Sequence, residues 1–128
     1  AGQSTVPQGF VEQWEKLNKA GINVFAVRDN PRFGFDVAAC VEESGAHSDK
    51  CSVAREDVLP TNSPWDKLKN PPENVHYVDL SDYFCDDTRC HPVIGNVLVY
   101  RDNGHITATY AKTMAPIIRN ELMSILKQ

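Results

Sequence analysis

No apolar run in this sequence approaches the roughly 20 residues that a helix needs to cross a bilayer, so the chain is expected to be soluble. The opening stretch AGQSTVPQGF lacks the basic flank and apolar core of a secretory leader. Basic residues are not in excess either. With 13 Lys and Arg against 17 Asp and Glu, and a formal charge of -4, the chain has no electrostatic footprint for nucleic acid or an anionic membrane surface, and neither is expected as a partner. Internal repeats and low-complexity tracts are absent, which excludes a stacked array. Cysteine is scarce: four residues fall in two local pairs, Cys40 with Cys51 and Cys85 with Cys90, inside the polar segments CVEESGAHSDKC and CDDTRC. Gaps of ten and four residues fit neither the short knuckles nor the His pair of a zinc site, so no metal or other cofactor is expected. Two small disulfide-closed loops are the natural reading, although four cysteines allow three connectivities. Disulfides persist in oxidising compartments, which points outside the cytoplasm and to a piece of an exported protein.

What is present suffices for one modest core: 128 residues, 41% hydrophobic, read as one unit over 1–128. Phe10, Val11, Trp14 and Leu17 recur at helical spacing after Pro7, with Gly21 placed to end the helix. Val24 to Val27 form a short apolar run that leads into Pro31, as a buried strand entering a loop does. Arg32 to Asn74 reads as a long, disulfide-stapled excursion, with a short helix starting at Asp36. Val75 to Leu80 and Val97 to Tyr100 are the second and third strands. Ile106, Tyr110, Met114, Ile118, Leu122 and Ile125 share one face of a closing helix that Pro116 should kink or divide. Strands interleaved with helices predict an α/β fold with a short, mostly parallel sheet.

Ligands in such sheets bind beyond the C-terminal strand ends. Arg28-Asp29-Asn30 and Arg101-Asp102-Asn103 repeat one tripeptide at two of those ends. Arg28, Asp29 and Arg32 fit a binding groove or, equally, a salt-bridged loop. Trp14 and Trp65 are read as core, with stacking on a sugar ring as the lesser alternative. His47, His76 and His91 read as surface residues. The string Asp102-Asn103-Gly104-His105 carries more. A carboxylate that accepts a hydrogen bond from one imidazole nitrogen fixes the tautomer and leaves the other free to take a proton from a nucleophile, and Gly104 would allow the tight turn between them. The alternative is that Asp102 caps the closing helix and His105 is exposed in its first turn.

The segment HYVDLSDYFCDDTRCHPVIGNVLVYRDNGHITATYAKTMAP resembles the end of the SGNH domain fused to membrane-bound acyltransferases of the acyltransferase-3 class. There a strand leads to an aspartate-leucine segment, a small cysteine-closed loop, a V-x-G-N-V-L-V-Y-R-D-x-x-H block and a closing helix. FAVRDNPRFGFDVAACVEE resembles the upstream text of the same proteins. The resemblance implies a partial SGNH-hydrolase, flavodoxin-like three-layer fold, with Asp102 and His105 as the triad acid and base. It also implies a nucleophile and oxyanion hole upstream, since no serine here follows a Gly-Asp pair. The expectation is therefore the C-terminal portion of one SGNH domain, inactive alone. The whole would transfer a small acyl group, from a donor delivered by a membrane acyltransferase domain, to a cell-envelope glycan or glycolipid. An esterase and a non-catalytic, glycan-binding or partner-docking module are the rival readings.

Overall fold

Pro7 fixes the backbone that enters α1 (Gln8–Lys19), and Gly21 leaves it at φ +75°, a left-handed conformation that costs glycine nothing. These elements belong to a computed structural model that describes residues 5–127; Ser4 and the outermost ends of the expected 1–128 unit lie outside the described residues. β1 (Val24–Val27) pairs in parallel with β3 (Val75–Val78), Val24 opposite Val75 through to Val27 opposite Val78. The Val24 N–H donates to Asn74 O and the Arg28 N–H to Val78 O, each at 2.9 Å, which extends the ladder past both ends.

The excursion between these strands is stapled as expected. α2 (Val37–Ser44) starts at Asp36, whose Oδ1 accepts the Ala39 N–H at 3.0 Å. Cys40 and Cys51 form one disulfide, and Cys85 and Cys90 the other. β2 (Val53–Ala54) leads into the single turn α3 (Arg55–Val58) and pairs antiparallel with β4 (Arg89–Cys90), so the first stapled loop is laced to the second.

Two expectations need correction. Val97 to Tyr100 does not join the parallel pair. β6 (Val97–Leu98) instead folds back on β5 (Val93–Ile94) as an antiparallel hairpin. The cause is local: Gly95 and Asn96 both have positive φ, +57° and +62°, the two-residue turn whose twist matches paired strands. The chain is mixed α/β, with one parallel ladder and two antiparallel ones rather than a mostly parallel sheet. The closing helix, α4 (Ala108–Leu126), is one continuous helix with Pro116 inside it, so of the two expected outcomes, a kink or a division, the division does not occur. Its expected apolar face is covered at Tyr110 and Met114, exposed at Ile118 and Leu122, and partly buried against the core again at Ile125.

The core under this half of the molecule is aromatic. Tyr100, fully buried, packs against Phe33 at 4.9 Å between ring centroids and Phe84 at 6.3 Å, and Phe84 meets Tyr110 at 5.7 Å. Such rings contribute specific edge and offset contacts beyond area burial. They tie the segment after β1, the second disulfide loop and α4 to the strand end that carries the Asp-x-x-His string.

Candidate functional site

Residues 101 to 105 form a tight excursion from this core. Tyr100 and Ile106 face each other as an antiparallel bridge, the Arg101 N–H donates to His105 O at 2.9 Å, and the Thr107 N–H donates to Val99 O at 2.8 Å. Inside the loop, Asp102 Oδ1 accepts the N–H groups of Gly104 at 2.9 Å and His105 at 2.7 Å. Its Oδ2 lies 2.7 Å from His105 Nδ1. The main-chain donors Gly104 and His105, and then the imidazole, hold the Asp102 carboxyl at about 2. An ionised carboxylate only accepts, so Nδ1 carries the imidazole proton and Nε2 keeps a free lone pair. The His105 side chain is 61% exposed, and Nε2 is open to a reacting group.

The rival capping reading fails on geometry. Thr107 is the cap of α4, its Oγ1 accepting the Tyr110 N–H at 3.1 Å, and His105 precedes the helix. Gly104 lies in the tight turn as expected, without a positive φ; it is buried, and a Cβ there would meet Arg32 Cγ at 3.1 Å. It is a site of close approach rather than a left-handed turn.

The other candidates sort themselves by contact. Arg28 fits both expectations: Nη1 bonds Asp79 Oδ2 at 3.0 Å, Nη2 donates to Pro60 O at 2.6 Å with only 9% of its side chain exposed, and it also lines the cleft beyond β1. Burial opposes the charge on Asp79, but the Ser81 hydroxyl and N–H and Arg28 outweigh it and lower its pKa. Asp29 and Arg32 form a loose, exposed pair at 3.7 Å that adds little. Beyond the end of β1 lies a cleft of about 880 Å³ whose walls include Trp14, Asp29, Asn30, Trp65, Tyr77 and, next to Asp102, Asn103. Trp65 stacks on Tyr77 at 5.1 Å and leans on Trp14 at 5.9 Å, so the tryptophans pack on each other and also line this cleft.

Two features escaped sequence reasoning. Asn30 Nδ2 donates to Gly104 O at 2.8 Å, so the last residue of the first Arg-Asp-Asn tripeptide reaches the residue just after the second. His91 is a surface residue, its side chain 41% exposed, and it has a partner: Nε2 lies 2.6 Å from Asp86 Oδ2. The Asp-x4-His spacing that joins them carries no general signal. Among the described residues, no serine or threonine hydroxyl is hydrogen-bonded to His105.

A family model of the SGNH domain fused to AT3 domains matches residues 2–120. No curated protein and no solved structure matches the chain significantly. The match spans both disulfide loops, the Asp102–His105 turn and most of α4. This chain belongs to the SGNH domain family found fused to AT3 domains.

Proposed function

We propose that this chain is the C-terminal portion of one SGNH domain and supplies the acid-base half of a Ser-His-Asp triad in an extracytoplasmic O-acyltransferase. The observation that carries this reading is the Nδ1-to-carboxylate contact at 2.7 Å, on a loop where another residue caps the helix. Nε2 of His105 takes the proton of a serine hydroxyl as its Oγ bonds the acyl carbon. The imidazolium, stabilised by ionised Asp102, then returns that proton to the departing donor group. In the second half an acceptor hydroxyl loses its proton to Nε2 and bonds the acyl carbon, and the serine ester breaks. The proton then passes back to the serine oxygen. With water as acceptor the same cycle is that of an esterase.

The serine and oxyanion donors come from a segment outside this sequence, which completes a flavodoxin-like, three-layer domain. Supporting this, β1 pairs on one edge only among the described residues, and Val27 on it and Ile118 and Leu122 on α4 are exposed. The fusion to AT3 domains recorded for the family supports a membrane acyltransferase as donor of a small acyl group, acetyl in the simplest case. The two disulfides support the extracytoplasmic side, where a cell-envelope glycan or glycolipid is the acceptor.

Covalent labelling by a serine-directed phosphonate, read by intact mass, tests this on the chain alone and on a polypeptide extended upstream. Labelling of the extended form only, lost in His105→Ala, is expected. No labelling of either would move the reading to a non-catalytic, glycan-binding module.

A further inference from the structure

The loop that carries His105 is shaped from outside. It contains no left-handed residue and is not part of α4. Its successive carbonyls are instead held by the segment after β1: Asp102 O accepts the Val37 N–H at 3.1 Å, Asn103 O the Phe33 N–H at 2.7 Å, and Gly104 O the Asn30 Nδ2 at 2.8 Å. Two of these donors are main chain and persist whatever the side chain. The third is the amide of Asn30, partly buried and steadied by a second bond from Nδ2 to Pro31 O at 3.1 Å.

That third bond falls on a critical peptide unit. The plane joining Gly104 to His105 offers its oxygen to Asn30 and its N–H, at 2.7 Å, to Asp102 Oδ1. It is gripped at both ends, and its orientation sets the direction in which the His105 side chain leaves the backbone. Arg32 closes on Gly104 from the same segment, so the plane has little room to drift. A hydrogen bond at one end of a peptide also polarises the group at the other, which strengthens the N–H toward Asp102.

We propose that Asn30 is a positioning residue for His105, acting through the Gly104–His105 peptide to hold Nδ1 on Asp102 and so set the tautomer that leaves Nε2 basic. The proposal rests on the acid-base reading of Asp102 and His105. Without the Asn30 amide the peptide turns, and both the main-chain and the imidazole bonds to Asp102 weaken together.

The test is two-bond 1H–15N correlation on this chain with labelled histidine, which reads which ring nitrogen carries the proton. Wild-type His105 should show a protonated Nδ1 and a bare Nε2. In Asn30→Ala the ratio of that tautomer to its alternative should fall about fivefold, the equivalent of one hydrogen bond, while His91 keeps its proton on Nε2. Asn30→Asp, which keeps the side-chain shape but cannot donate when ionised, should do the same and covers the case in which the alanine variant fails to fold. In the full-length acyltransferase, kcat should drop on the order of tenfold with KM little changed. A wild-type tautomer ratio in both variants would overturn the proposal and leave Asn30 a residue of fold stability. A wild-type His105 with its proton on Nε2 would sink the acid-base reading itself, and the positioning role with it.

Discussion

Asp102 and Asp86 each accept two main-chain N–H groups and one imidazole nitrogen, and they present their histidines in opposite ways. Asp102 Oδ1 takes the N–H groups two and three residues on and Oδ2 takes Nδ1 of His105. Asp86 Oδ1 takes the N–H groups of Thr88 and Arg89, and Oδ2 takes Nε2 of His91 at 2.6 Å. Binding through Nδ1 leaves the nitrogen at the far tip of the ring exposed to a partner. Binding through Nε2 leaves only the nitrogen nearest the backbone, which a substrate reaches poorly. The balance of forces differs as well. The main chain is the leading cause of the low Asp102 pKa, with His105 secondary, whereas His91 is the leading cause for Asp86. Asp102 is therefore an anion before the histidine is counted, as the proposed function requires of the group that receives an imidazolium. An Asp–His contact alone is thus no sign of catalysis, and the ring nitrogen that makes it decides.

The sharpest way to break the comparison is to remove each imidazole in a polypeptide extended upstream to include the proposed serine-bearing segment. His105→Ala should lower acyl transfer by about 10³-fold or more, and His91→Ala should leave it unchanged, measured as turnover of an acyl donor. Next in size, Asp102→Asn should reduce kcat by about 10² to 10⁴, since an amide can offer its N–H to the imidazole and favour the wrong tautomer. Asp86→Asn should lower the melting temperature and spare kcat. Third come the staples. Replacing Cys40 and Cys51 by alanine should destabilise the chain by about 3 kcal/mol, and replacing Cys85 and Cys90, which close the shorter loop, by about 2 kcal/mol, read from denaturant unfolding. Only the second change should loosen the Asp86–His91 pair. The smallest effect is in acid. Both carboxyls titrate below the ordinary 3.8, so what they add to folding is complete above that pH and is lost as pH falls through their depressed values. Carboxyl carbon shifts followed by NMR would show both carboxyls titrating below the ordinary range.

Much of this was legible in the chain itself because the signals were local. The Val24–Val27 and Val75–Val78 strands, the Asp36 cap, Gly21 and both cysteine pairs each depend on a few neighbouring residues. The Val97 strand went astray because apolar, β-branched residues were read without the Gly95-Asn96 turn before them, although that turn was itself written in the sequence. The exposure of Ile118 and Leu122 was not legible, since helical periodicity reports which residues share a face and not what covers it. At the site, spacing allowed Asp102 to orient His105 but equally allowed helix capping, and it was the resemblance to the SGNH domain that favoured the pair. The bond from Asn30 to Gly104 spans 74 residues and exists only because the β1 end and the last hairpin meet in space, which no window on the sequence samples.

Asp102 and His105 occupy a single turn four residues long, with buried Val99 and Tyr100 before it and the Thr107 cap after it. Their mutual distance is consequently set by this turn and by the segment after β1 that grips its carbonyls. Under the proposed function, drift between this portion and the serine-bearing one alters a single coordinate, the approach of Nε2 to the serine oxygen, and leaves the other bond of the triad intact. The dyad behaves like a preset cartridge, so opening the domain to admit a bulky acceptor does not require the base to be reassembled afterwards.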